Sequence, residues 1–176
     1  MKTAWILMLI SSIAFVGCKS QYGEKLKDPF SGNKYESNAR FFRAVGKSQS
    51  RDESIAVKKA RMEAKGELAS QMNSTIKEVA DDFMSSTGYE NADEITNKFQ
   101  SLTRLIVNTD IADLRVIGQE KYFDGSTYTA FAAYEIKKNA MFRFLKKQAK
   151  SNERLNESER KIFEEMIDAE LKKLEE

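Results

Sequence analysis

Apolar residues recur at Val57, Ala60, Ala64, Leu68, Met72, Ile76, Val79 and Phe83, in steps of 3, 4, 4, 4, 4, 3 and 4. Steps of three and four keep one face of an α-helix in line. A helix with so long an apolar stripe draws its stability from the surface it packs on, so the rest of the chain has to supply that surface. The alanines at the start of the stripe allow close approach to a sheet. Ser50-Arg51-Asp52-Glu53 lies just upstream, and a serine with a glutamate three residues on reads as a capping box. Ser85-Ser86-Thr87-Gly88 lies just downstream, where Gly88 can close the helix in a left-handed conformation.

The surface comes from two places. Before the helix, Ala39 to Lys47 (ARFFRAVGK) carries Phe41, Phe42 and Val45 and reads as a first strand. After it, Asp93 to Asn108 reads as a second helix, with Ile95, Phe99, Leu102, Leu105 and Ile106 on one side. Asp110 to Phe123 becomes a strand in its second half, and Asp124-Gly125 is a strong hairpin signal, since both positions tolerate positive φ. Tyr128, Ala130, Ala132, Tyr134 and Ile136 then alternate along a returning strand. Asn139–Lys150 and Asn156–Glu175 follow as two C-terminal amphipathic helices. The expected class is α+β: a small antiparallel sheet built from strand, long helix, second helix and β-hairpin, with helices on one face. The domain is expected over residues 39–138 and the closing helices over 139–176.

Composition limits the chemistry. The chain has no histidine and one cysteine, so Ser-His-Asp and Cys-His catalysis are excluded, as are multi-cysteine zinc sites. Charged residues make up 32%, but they balance to +2, far from the basic excess of a nucleic-acid binder. Val45-Gly46-Lys47-Ser48 looks like the end of a phosphate-binding loop, yet the glycine required five residues before Gly46 is Phe41, and no nucleotide is expected. Asp81-Asp82 and Glu164-Glu165 are adjacent pairs. Neighbours on a helix point about 100° apart, so they read as solvated faces rather than converging carboxylates.

The two closing helices carry opposite charge. Lys137 to Arg154 holds seven bases and one acid, and Glu157 to Glu176 holds eight acids and four bases. Arg143, Lys146, Lys147 and Lys150 share one face of the first, opposite Met141, Phe144 and Leu145. Such a helix can contact an anionic membrane or a partner, or pack its apolar side inward and leave its charges wet. The short stripe favours packing. The last helix, capped by Asn156 with Glu159, carries Ile162, Phe163, Met166, Ile167 and Leu174. It is expected to pack either on the basic helix as an antiparallel hairpin or on a partner.

The amino terminus sets the location. Trp5 to Val16 is an uncharged, mostly apolar run of 12 residues, too short to span a membrane but suited to a signal peptide. Phe15-Val16-Gly17-Cys18 ends it and resembles the lipobox of bacterial lipoproteins, with Phe15 where leucine is usual. That resemblance implies cleavage between Gly17 and Cys18 and a covalent lipid on Cys18. The plainer alternative is an ordinary cleaved signal with a cysteine nearby. Residues 1–17 are thus expected to be the signal peptide and 18–38, polar and glycine-containing, a tether. Lys19 rather than aspartate follows the cysteine, which by analogy favours the outer membrane.

Three further stretches carry a wider resemblance: Ala44-Val45-Gly46 ending the first strand; Ala56, Ala60-Arg61, Ala64 and Glu67-Leu68-Ala69 in the helix; and Asp124-Gly125 with Tyr128 in the hairpin. With the lipobox, the stretch from Ala39 to Lys137 resembles the small envelope lipoproteins of the Lpp-twenty type, whose domain is similar to the amino-terminal domain of a flagellar assembly protein. The resemblance implies a strand, helix and hairpin domain on a lipid anchor, with no catalytic residues to carry over. The expected function is a non-enzymatic binding or assembly module on the periplasmic face of the outer membrane. It needs no cofactor beyond the lipid, and its partners are the membrane and an envelope protein. The alternatives are a surface-exposed lipoprotein of a nutrient or adhesion complex, and a hydrolase or lyase that uses carboxylates or lysines.

Overall fold

The computed structural model describes residues 27–88, 92–108 and 113–175. Its elements are β1 (Phe41–Ser50), α1 (Glu53–Thr87), α2 (Ala92–Asn108), β2 (Arg115–Phe123), β3 (Tyr128–Lys137), α3 (Lys138–Ser151) and α4 (Glu157–Glu175). The class is α+β, as the apolar spacing implies, with strand, two helices, hairpin and two helices in that order. The strands form one antiparallel sheet in the order β1-β3-β2, so the last strand is central.

Small residues govern the contact between sheet and helix. Phe42, Ala44 and Gly46 of β1 pair with Ile136, Tyr134 and Ala132 of β3 and share the face turned to α1. Ala56, Ala60 and Ala64 of α1 are fully buried opposite them. With Ala44, Gly46, Ala130 and Ala132 below and alanines above, the helix backbone comes very close to the sheet. A Cβ built on Gly46 would lie 2.1 Å from the Ala60 carbonyl oxygen. Farther along, Gln71 Nε2 donates to the Arg43 carbonyl at 3.2 Å.

This register leaves α1 longer than its support. At 1.5 Å per residue its 35 residues extend about 52 Å, against about 33 Å for a ten-residue strand. The helix therefore overruns the sheet beyond Phe41, and α2, α3 and α4 collect around the overhang. Met72, Ile76, Ala80 and Met84 of α1 are buried in one core with Ile95, Phe99 and Leu102 of α2. The same core takes in Met141, Phe142, Leu145 and Ala149 of α3 and Leu155, Ile162, Phe163, Met166 and Ile167. The Phe99 and Phe163 rings meet at 5.1 Å between centroids. The side chains of Leu105 and Ile106 lie outside the described residues.

The middle of β3 is covered on the second face of the sheet too. Phe131 and Ala133 point away from α1 and are buried. The Phe30 ring lies over Gly118, where a Cβ would meet its Cε1 at 2.4 Å. Tyr122 stands edge-on to Phe131 at 5.9 Å. Ser37 Oγ accepts from the Arg43 N–H at 2.8 Å and lies 2.6 Å from Gln71 Oε1. Residues 27–38, the described part of the expected tether, thus touch the domain at Phe30 and Ser37. Burial on both faces explains why Phe131-Ala132-Ala133-Tyr134 is a continuous apolar run.

Two local expectations change. Asp52, not Ser50, caps α1: Asp52 is extended at φ −102° and its carboxylate accepts from the Ile55 N–H at 2.9 Å. Ser50 stays in β1, paired with Tyr128, and its hydroxyl accepts from the Asp52 N–H instead. In the hairpin only Gly125 takes positive φ, at 97°. Asp124 closes the ladder, and its carboxylate accepts from the Ser126 and Thr127 N–H groups at 2.9 and 2.8 Å. Those two donors hold the Asp124 carboxyl below its ordinary range. Gly88 closes α1 in the left-handed region at φ 66°, as its position implies.

The capping box of α4 is complete: Asn156 accepts from the Glu159 N–H at 2.9 Å and Glu159 accepts from the Asn156 N–H at 3.0 Å. Glu159 also binds the Lys98 ammonium, joining α4 to α2. Lys98 first, and the Asn156 N–H second, lower the Glu159 pKa, while Glu159 raises that of Lys98. A depressed carboxylate contributes stability above its unfolded pKa, near 4.5, and loses it as pH falls through the folded value. Melting between pH 5 and 3, at about the ordinary glutamate range, should therefore fall less steeply for Lys98→Met than for wild type. Parallel profiles would remove the pair from the acid response.

Candidate interaction surfaces

The basic face of α3 is turned onto α4. Lys146 Nζ binds Asp168 Oδ1 and Oδ2 at 2.6 and 2.7 Å, Lys150 binds Glu164 at 3.2 Å and Arg143 binds Glu175 at 3.3 Å. Of the four residues singled out from the sequence, three face α4. Lys147 is exposed and has no ion pair among the described residues. The charges lie at the rim of an apolar seam, where each pair is worth at most about 1 kcal/mol. The α3–α4 helical hairpin is intramolecular, which selects one of the two arrangements the charge pattern allowed.

A second surface lies along the amino-terminal half of the long helix. α1 covers β1 and β3, and the α1-side face of β2 stays open. Val116, Gln119, Lys121 and Phe123 pair with inward-facing residues of β3 and so point toward α1. Between them and the helix runs a trench of about 570 Å³, floored in part by Tyr134. Lys58, Arg61 and Lys65 line its helix wall and Lys121 its strand wall. The one acid in it, Glu53, is already held by Lys121. Arg61 reaches across to Gln119 Oε1 at 2.8 Å, and Lys65 sits 5.8 Å from the Tyr134 ring centre. Met62 on the helix and Val116 and Phe123 on the strand are 66%, 54% and 56% exposed.

The sequence reading missed this trench. Its signal was the spacing of Lys58, Arg61 and Lys65, which puts three cations on one side of α1, away from the apolar stripe. What the helical spacing could not show is that the sheet is one strand wider than the helix covers.

The other sequence candidates do not converge. Gly46 is packed against the backbone of α1 and cannot serve a phosphate. Asp81 and Asp82 are exposed. Glu164 pairs with Lys150, while Glu165 pairs with Lys161. Among the described residues no group of three or more His, Cys, Asp or Glu is placed to hold a metal, and no helix is long and apolar enough to cross a membrane. Gly17 and Cys18 lie outside the described residues. The chain matches no family model, no curated protein and no solved structure.

Proposed function

We propose that this chain is a lipid-anchored lipoprotein of the bacterial envelope, held by Cys18 and acting as a non-enzymatic binding or assembly module on the periplasmic face of the outer membrane. The observation that carries the reading is Phe15-Val16-Gly17-Cys18 at the end of the apolar run, with the only cysteine of the chain at the lipid-accepting position. The lack of histidine supports a binding role over catalysis. An open, charged trench is also what a binding module needs and a scaffold alone does not. At no more than about 3.5 Å per residue, residues 19–26 keep Lys27 within about 30 Å of the lipid. The domain then works close to the bilayer surface.

The test is Cys18→Ser in the native host with labelled fatty acid. Wild type should incorporate label, lose residues 1–17 and fractionate with the outer membrane. The serine variant should stay unlabelled and accumulate as precursor or soluble protein. If it is processed and fractionates like wild type, the lipoprotein reading fails. Protease treatment of intact cells then separates a periplasm-facing domain, which is protected, from a surface-exposed one, which is cut.

A further inference from the structure

β2 is an edge strand of nine residues, about 30 Å of backbone. β3 takes one of its edges, and no strand takes the other among the described residues. An open edge presents alternating N–H and C=O groups to any extended chain, and proteins ordinarily shorten, bulge or cover it. The pairing with β3 has one register shift, between Val116 and Gly118, so Gly118–Phe123 is regular and, among the described residues, unpaired on its other edge. The trench lies over the α1-facing side of this same strand, between it and α1. The two features together make a slot with backbone hydrogen-bonding groups on one side and cations on the other.

We propose that this slot takes an extended acidic segment of a partner protein, which adds to the sheet beside β2 as a fourth strand. Alternate side chains of the added strand point toward α1, where carboxylates meet Lys58, Arg61 and Lys65. Backbone pairing supplies affinity, and the cations select the sequence. Exposed Met62, Val116 and Phe123 border the slot and give the segment an apolar margin to cover. Charge decides among the possible occupants. A second copy joined β2 to β2 would bring two sets of Lys58, Arg61 and Lys65 toward each other, with Glu53 already occupied. The acidic tail of the chain itself is engaged elsewhere, through Glu164, Asp168 and Glu175 on α3. The proposal rests on the binding-module reading and names the partner class for it.

The test uses the purified full chain in detergent and a fluorescent peptide alternating glutamate and valine. Saturable binding is expected, weakening as salt rises. Arg61→Glu combined with Lys65→Glu should weaken it about tenfold or more with melting unchanged, since both side chains are exposed. Lys147→Glu, on the other helical surface, should leave it unchanged. Amide exchange over Gly118–Phe123 should slow when peptide is bound. A peptide N-methylated at alternate residues along the pairing edge should lose binding. The proposal is overturned if the methylated peptide binds equally well, if lysine replaces glutamate without loss, or if the purified chain dimerises through β2. Failure here with normal lipidation of Cys18 ends the strand-addition proposal alone, while failure of lipidation with intact peptide binding ends only the lipoprotein reading.

Discussion

Gly46→Ala should destabilise the domain by about 3 kcal/mol or more, the upper end of the range for overpacking. The added methyl would lie 2.1 Å from the Ala60 carbonyl oxygen and 2.5 Å from the Ala64 amide nitrogen. Both are backbone atoms of α1, so no rotamer change relieves the contact, and trimming Ala60 to glycine would not help. Relief requires the helix to lift from the sheet, opening the contact of Ala56, Ala60 and Ala64 with Ala44 and Ala132. Two other glycines set the scale. At Gly118 the three atoms nearest the methyl all belong to the Phe30 ring, a half-buried side chain that can swing aside, and the cost should be smaller. At Gly66 nothing lies within 4 Å, and alanine should stabilise α1 by about 0.5–1 kcal/mol through helix propensity. Urea unfolding of the three variants should rank them with Gly66→Ala above wild type, Gly118→Ala below it and Gly46→Ala far below. A Gly46→Ala protein as stable as wild type would mean that the helix does not sit this close to the sheet.

Those three glycines also show what a sequence can and cannot disclose. The stripe from Ala60 to Val79 was legible because helical periodicity depends only on local spacing, and the structure buries it. The hairpin was legible for the same reason. Gly46 reads as a strand end that leaves the helix room to turn back, but its seat directly under the Ala60 carbonyl does not, because that backbone lies 14 residues later in the chain and on another element. The cap of α1 was misplaced by two residues: Ser50 fits the capping pattern, but pairing with Tyr128 holds it in the sheet. Phe30 stood isolated in polar sequence, and only the glycine beneath it on β2 gives it a seat. Of the candidate surfaces, the basic face of α3 was visible as a charge pattern, and its complement on α4 was visible too. The trench was not, since it depends on how many strands the long helix fails to cover.

Deleting Asn156–Glu176 should cost more than any single substitution in the helical end. α4 contributes Ile162, Phe163, Met166 and Ile167 to the core, all buried. Phe163 is fully buried against Phe99, and Phe163→Ala alone should cost about 3–5 kcal/mol. Without α4, α3 loses the helix it packs on, and the overhanging end of α1 keeps only the cover that α2 and α3 give it. That loss is large against a typical domain stability of about 5–15 kcal/mol, so the truncated chain should melt well below wild type or not cooperatively at all. The charges contribute little by comparison. Asp168→Asn removes the partner of Lys146 at the exposed rim and should cost no more than about 1 kcal/mol. The comparison separates two roles that charge and apolar surface play in the same seam. If Phe163→Ala collapses stability and Asp168→Asn barely shifts it, the apolar side holds α4 and the ion pairs only set its direction. If the deletion leaves melting unchanged, α4 is not part of this core. The opposite charges on the two helices would then have to serve contacts outside the chain.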